Sequence, residues 1–161
     1  MITNFIHGID KDYYGESGYS QNGGLRNVTP KTARELRYTG YTVYYTHREI
    51  LHDSGTVPID IHYSVAFCSP KDMFSKKVGR AVAVEKFTSG NTKQITIVKV
   101  DTSNKAGWQL QNALVRIAIL SDIIDVNCQD KSHYLDNYRF YDLLFNRIIL
   151  NQNFVQKLLF V

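Results

Sequence analysis

A cluster of positive charges follows an apolar segment in the stretch FCSPKDMFSKKVGRAVA, residues 67–83. Lysine and arginine side chains bind phosphate groups through charge-assisted hydrogen bonds, and the unpaired amide groups at a helix N-terminus also favour anions. We therefore interpret this stretch as a candidate phosphate site, whose predicted ligand-binding residues are Ser69, Lys71, Phe74, Lys76, Lys77 and Arg80. The alternative interpretation is that the cations only solvate an exposed helix face, as most charges on helix surfaces do.

The residues that precede the cations indicate the start of a helix. Ser69 can cap a helix N-terminus, Pro70 suits its first position, and Asp72 completes a pattern similar to a capping box. Lys76 and Arg80 are about one helical turn apart, so both should project from the same side. This pattern predicts a helix that begins after Ser69 and carries its cations in its first turns.

The opposite side of this helix should be buried. Gly79 lies in its interior, where a glycine costs about 1 kcal/mol relative to alanine. We therefore expect another backbone segment or a ligand to approach the helix closely at Gly79. The predicted apolar face consists of Phe74, Val78, Ala81, Val82 and Phe87.

Two pairs of side chains have the types needed for acid–base chemistry. His47 and Glu49 lie two residues apart on one predicted strand, and Asp60 and His62 lie two residues apart on another. Polar positions on a half-solvated sheet are the favoured interpretation of both pairs, because no nucleophile and no metal-ligand spacing accompanies them. The sequence contains no GxSxG, P-loop, HExxH or GxGxxG motif. We predict a binding protein without catalytic residues, a metal or a cofactor.

Length and composition favour one folded domain that spans residues 1–161. With 43% hydrophobic and 21% charged residues the chain can bury a core, and its net charge of +4 allows anionic partners without requiring them. The N-terminal residues lack the pattern of a secretory signal, and the longest apolar run, residues 113–120, is too short to span a membrane. The two cysteines show no zinc-binding spacing. These features predict a cytoplasmic protein without a membrane association.

Alternation and helical periodicity predict the elements that position the cations. Residues 41–50, 59–68 and 93–100 have the composition of β-strands, and the second of these alternates, with Ile59, Ile61 and Tyr63 on its apolar face. Residues 1–27 are predicted to be loops with at most one short strand, and residues 29–40 a short helix or turns. Helical spacing returns in residues 108–124, where Val115, Ile117 and Ile119 also fit a strand, and in the segment after the candidate cap Ser132. The fold class is α+β, with a mostly antiparallel sheet, one helix after Ser69 and two helices in the C-terminal third.

Aromatic residues are abundant, with 11 tyrosines and 8 phenylalanines. Aromatic rings beside cations can stack on a nucleotide base while the cations pair with phosphate, although core packing and subunit contacts are the commoner uses of tyrosine. The chain also ends on the apolar segment FVQKLLFV, residues 154–161. We therefore expect a homo-oligomer held in part by the C-terminal segment.

The segment of residues 67–83 resembles a strand–helix signature of small bacteriophage proteins, and the size and mild basicity of the chain are similar to those of phage counter-defence proteins. Among these, the chain resembles the anti-Thoeris family of nucleotide-signal sponges. The resemblance implies an oligomer in the host cytoplasm that captures a cyclic ADP-ribose isomer or a cyclic nucleotide without cleaving it, and so counters host immunity.

From these features we predict non-catalytic binding and sequestration of a phosphorylated, nucleotide-like signalling molecule. One alternative is binding of nucleic acid through the same cations. Another is a protein-interaction module that inhibits a host factor. A long polyanion gives a steep dependence of affinity on salt and a small ligand a shallow one, so a salt series separates the first two functions.

Overall fold

The computed structural model describes residues 4–9, 38–50, 57–69, 72–127 and 138–160. Four antiparallel strands form one sheet in the order β1-β2-β3-β4, with β1 Phe5–Ile9, β2 Gly40–Glu49, β3 Pro58–Cys68 and β4 Lys93–Val98. The helices are α1 Lys76–Thr88, α2 Lys105–Asn127 and α3 Tyr138–Leu159. The predicted α+β class, with one helix after β3 and two in the C-terminal part, is confirmed. None of these helices is long and apolar enough to cross a membrane.

One face of the sheet carries the main hydrophobic core. Alternate residues of β1, β2 and β3 point to this face, as the antiparallel register requires, and α2 and α3 cover it. Leu120 of α2 and Leu144 of α3 are fully buried between the helices and the sheet. The sheet contributes Ile6, Val43, Tyr45, Ile59, Ile61 and Tyr63 to this core.

The second face of the sheet is more polar and is partly covered by α1. Ser64 of β3 is buried there, and its hydroxyl donates a 2.5 Å hydrogen bond to the carbonyl oxygen of Ala83 in α1. Ala66 is buried on the same face. Strand β3 is therefore covered on both sides along much of its length, whereas its alternation indicated a strand with one solvated face. The alternation reports the polarity of each face, and it does not reveal that a helix packs on the polar one.

Helix α1 begins at Lys76, and its N-cap is Ser75 instead of the predicted Ser69. The Ser75 Oγ accepts a hydrogen bond of 3.2 Å from the backbone N–H of Val78. The backbone N–H of Asp72 donates to the Ser69 carbonyl oxygen, so Ser69 belongs to a turn that precedes the helix. Both serines satisfy the cap rule, and Ser75 allows Phe74 to bury its ring against Gly40 before the helix starts.

The buried side of α1 differs from the predicted apolar face. Ala83 is fully buried and Phe87 is half-buried, with its ring edge-on to Tyr44 at 4.8 Å between centroids. The predicted residues Val78, Ala81 and Val82 are exposed. Gly79 and Ala83, about one turn apart, face the sheet, and their small size lets α1 pack closely on Thr42 and Ser64. The predictions for residues 29–37 and for the cap Ser132 lie outside the described residues.

Candidate anion-binding site

A cavity of about 380 Å³ lies at the β1 edge of the sheet. Strand β1 forms its floor, the first residue of α1 and the preceding Phe74 form one wall, and α3 forms the other. Its polar lining residues are His7, Lys76, Asn146 and Arg147, and its aromatic lining residues are Phe5, Tyr41 and Phe74. The volume falls within the range of small-molecule sites, roughly 300–1,000 Å³.

His7 reaches this cavity from the middle of β1. It pairs with Thr42 of β2 in the antiparallel register, and its Nδ1 shares a 3.0 Å hydrogen bond with the Thr42 hydroxyl. Thr42 is itself buried beneath α1. Because Nδ1 is engaged with Thr42, the Nε2 atom is the ring nitrogen that can bind a further partner.

Positive charges converge on His7 from two helices. Burial lowers the pKa of His7, and Lys76, Arg80 and Arg147 lower it further by repelling the protonated imidazole. His7 is therefore mainly neutral near neutral pH, while the three surrounding side chains are cationic. A cavity bordered by several cations has a positive electrostatic potential, which attracts an anion.

Lys76 lines this cavity because α1 begins beside it, directly after the N-cap Ser75. Lys76 is the first residue of the helix, and the partial positive charge of a helix N-terminus adds to its own charge. Arg80 follows about one turn later on the same side, which explains its electrostatic effect on His7. Lys77, the next residue after Lys76, is exposed and does not line the cavity.

Tyr41 contributes a buried polar atom at the cavity wall. Its side chain is 1% exposed, and the hydroxyl group has no hydrogen-bond partner among the described residues. Burial raises the pKa of Tyr41 to about 12, although the charge of Arg147 acts in the opposite direction. A Cβ atom on Gly8 would lie 2.7 Å from the hydroxyl oxygen, so the glycine makes room for the tyrosine ring. An unpaired buried hydroxyl costs on the order of 1–3 kcal/mol.

The structure assembles part of the predicted set of ligand-binding residues. Phe74 and Lys76 line the cavity, and Arg80 acts electrostatically on His7 inside it. Ser69 and Lys77 do not line it. Lys71 lies outside the described residues.

Three functional candidates were not predicted from the sequence: His7, Tyr41 and Arg147. His7 and Arg147 are 140 positions apart in the chain, and no local pattern connects them. The one signal in the sequence was Gly8, the penultimate residue of β1, because a glycine within a strand indicates that another group approaches it closely.

The predicted pair Asp60 and His62 forms a second polar cluster on the α1 side of the sheet, beyond the end of that helix. His62 Nε2 lies 2.8 Å from Asp60 Oδ2, and the Gln94 amide donates a 2.6 Å hydrogen bond to Oδ1. Arg48 lies 3.7 Å from Oδ2. Loss of water around Asp60 would raise its pKa, but the hydrogen bonds from His62 and Gln94 and the charges of His62 and Arg48 hold the pKa below its usual value.

Both Asp60 oxygens are thus engaged with protein groups, which indicates a structural cluster that joins β2, β3 and β4. The other predicted pair is not brought together, because Glu49 pairs with Lys99 at 2.6 Å, while His47 stacks on Tyr45. Burial lowers the pKa of His47. Within the described residues, no group of three or more histidine, cysteine or carboxylate side chains could hold a metal ion.

Comparison with known protein families, with curated proteins and with solved structures finds no match to this chain.

Proposed function

We propose that this protein binds a small phosphorylated, nucleotide-like ligand in the cavity between β1, α1 and α3 and releases it unchanged. The observation that carries this proposal is that Lys76, Arg147 and His7 line one cavity that has aromatic walls, with the charge of Arg80 also acting on His7. A phosphate group satisfies several cations at once through charge-assisted hydrogen bonds. Aromatic rings beside that phosphate offer a surface on which a base can stack.

The two parts of such a ligand would contact different elements. The phosphate would bind to Lys76 of α1 and Arg147 of α3, which line opposite walls. The base would stack on Phe5, whose ring is half-buried and lies parallel to the His7 ring at 6.0 Å. Phe74 is almost completely buried, so it shapes the wall.

The proposed binding does not require a chemical step. Thr42 and His7 form a hydrogen-bonded hydroxyl–imidazole pair, which is the arrangement that activates nucleophiles in some enzymes. The Thr42 side chain, however, is buried beneath Gly79 of α1 and does not line this cavity. Its hydroxyl group positions the imidazole.

Sequestration of a signalling nucleotide in the host cytoplasm is the form of this function that the phage resemblance implies. A cyclic ADP-ribose isomer or a cyclic nucleotide would be held by the same cations and rings. Nucleic acid is the alternative anionic partner. The two cations that line the cavity, Lys76 and Arg147, share one space of about 380 Å³, and a space of that size favours a small ligand.

The proposal is tested by isothermal titration calorimetry with AMP, cyclic AMP, ADP-ribose and a single-stranded oligonucleotide over a salt series. We expect at least one of the nucleotides to bind with a shallow salt dependence. Arg147→Gln and Lys76→Gln should each weaken that binding by about tenfold or more, because each removes a cation from the cavity. Lys77→Gln is the matched control, and it should bind like the unaltered protein.

Three results would contradict the proposal. The first is an absence of binding to every nucleotide. The second is an equal loss of affinity in Lys77→Gln and Lys76→Gln, which would place the ligand elsewhere on α1. The third is conversion of the bound nucleotide, detected by mass spectrometry of the ligand released by heat after long incubation.

A further inference from the structure

We infer that the cavity takes a phosphate group with two negative charges, and that its binding adds a proton to the His7 imidazole. This inference rests on the proposed function, and it names the charge of the ligand and the protein group that responds to it. A nucleoside 5′-phosphate carries such a group, whereas the phosphodiester of a cyclic nucleotide carries one negative charge. This inference therefore favours a nucleoside 5′-phosphate over the cyclic ligands that the phage resemblance implies.

The charges around His7 support binding of a phosphate group with two negative charges. Lys76 and Arg80 act on it from α1, and Arg147 acts on it from α3. Strand β2 contributes the neutral Thr42 hydroxyl and the phenol of Tyr41, which stays protonated at neutral pH. Among the described residues that line the cavity, none is a carboxylate. One negative charge would leave most of this positive charge uncompensated, and two would compensate more of it.

The hydrogen bonding of His7 supports the uptake of a proton when the ligand binds. The Thr42 hydroxyl can accept a hydrogen bond from Nδ1–H, and protonation then adds a second donor at Nε2. Without a ligand, burial and the surrounding cations hold the pKa of His7 below its usual value of 6.5. A phosphate dianion beside the ring would offset those cations and favour the imidazolium. The proton would come from the solvent.

Linkage gives the direction of the pH dependence. The pKa of His7 should be higher in the complex than in the unliganded protein, so the complex binds an additional proton. Affinity for the dianion should therefore increase as the pH falls between these two pKa values, by at most about tenfold per pH unit. Below about pH 6 the phosphate group itself becomes protonated, and the gain ends there.

The experiment compares AMP with cyclic AMP, which share the same base and sugar and differ in phosphate charge. Calorimetric titrations at about pH 7.5, where AMP is mainly a dianion, are run in two buffers with different ionisation enthalpies. We expect AMP to bind about tenfold or more tightly than cyclic AMP, with uptake of up to one proton per AMP bound. His7→Gln should lose the proton uptake, and Lys77→Gln should retain it.

A second measurement does not depend on the variant. The pKa of His7 in the unaltered protein, followed by the NMR signal of its Cε1 proton, should rise when AMP is added. Binding of AMP without proton uptake, uptake that persists in a folded His7→Gln, a His7 pKa unchanged by AMP, or equal affinities for the two nucleotides would each overturn this inference while leaving the proposed function in place. If no nucleotide binds, both fail together.

Discussion

Gly79 of α1 lies directly over Thr42 of β2, so close that a Cβ atom on the glycine would lie 2.9 Å from the Thr42 Cβ. The same threonine shares a hydrogen bond with His7 Nδ1. The spacing between helix and sheet and the orientation of the cavity's histidine therefore depend on one small residue. Any side chain at position 79 must move α1, Thr42 or both.

Gly79→Ala should destabilise the protein. Alanine is favoured over glycine in a helix interior by about 1 kcal/mol, but the added methyl group overlaps Thr42, and overpacking of this kind costs about 1–3 kcal/mol. We expect a net loss in the free energy of unfolding, measured by urea denaturation. The exposed position 81 supplies the control, since Ala81→Gly should lose about 1 kcal/mol from helix propensity alone. A more stable Gly79→Ala would show that the helix can move away without cost.

The sequence predicted that a backbone segment or a ligand approaches Gly79 closely, and the structure has the Thr42 side chain in that place instead. A glycine within a helical pattern has a local energetic cost, and this cost is readable without the fold. The identity of the partner depends on how α1 packs on the sheet. The same distinction explains the cap: Ser69 and Ser75 both satisfy the local rule, and the burial of Phe74 against Gly40 favours the second.

The strands were predictable because a buried face imposes a period of two on the sequence, as in residues 59–68. Of the residues that line the cavity, the sequence predicted only Phe74 and Lys76, at the start of α1. His7 lies on a strand of five residues, and Arg147 lies on the long helix α3 among apolar residues. Their proximity arises because α3 passes the β1 edge of the sheet, and no local pattern in the chain contains that information.

Lys76→Gln should raise the pKa of His7 even when no ligand is present. Lys76 is among the cations that disfavour the imidazolium, so its removal should let His7 accept a proton at a higher pH. The measurement is an NMR titration of the histidine Cε1 protons. Lys77→Gln changes the adjacent residue by the same chemistry, and it should leave the His7 pKa unchanged. Equal shifts in the two variants would mean that the effect is a general change in net charge.

Asp60 should make stability depend on pH in the acid range. Its pKa in the folded protein lies below the usual value of 3.8, so its contribution to stability is complete above that value and is lost as the pH falls through the lowered pKa. Asp60→Asn should reduce this acid dependence. It should also cost about 1–3 kcal/mol at neutral pH, because His62 and Gln94 lose a charged acceptor.

Urea denaturation over a pH series measures both the acid dependence of stability and the loss of stability at neutral pH in Asp60→Asn. Glu49→Gln is the control, since Glu49 is half exposed, and an exposed pair with Lys99 contributes at most about 1 kcal/mol. If Asp60→Asn kept the full acid dependence of the unaltered protein, another carboxylate would be responsible for it.

Removal of the residues after Asn151 should separate assembly from folding. Ile148 is the last buried residue of α3, and none of residues 152–160 is buried, although several are large and apolar. Phe154 is 40% exposed, Leu159 58% and Phe160 84%. An exposed apolar helix end of this kind is typical of a subunit contact, so we expect the intact chain to form a homo-oligomer and the chain ending at Asn151 to be a folded monomer.

Light scattering at micromolar concentration measures both masses, and circular dichroism checks that the shortened chain is folded. A monomeric intact chain, or a shortened chain that keeps its oligomeric mass, would rule out this role for the end of α3.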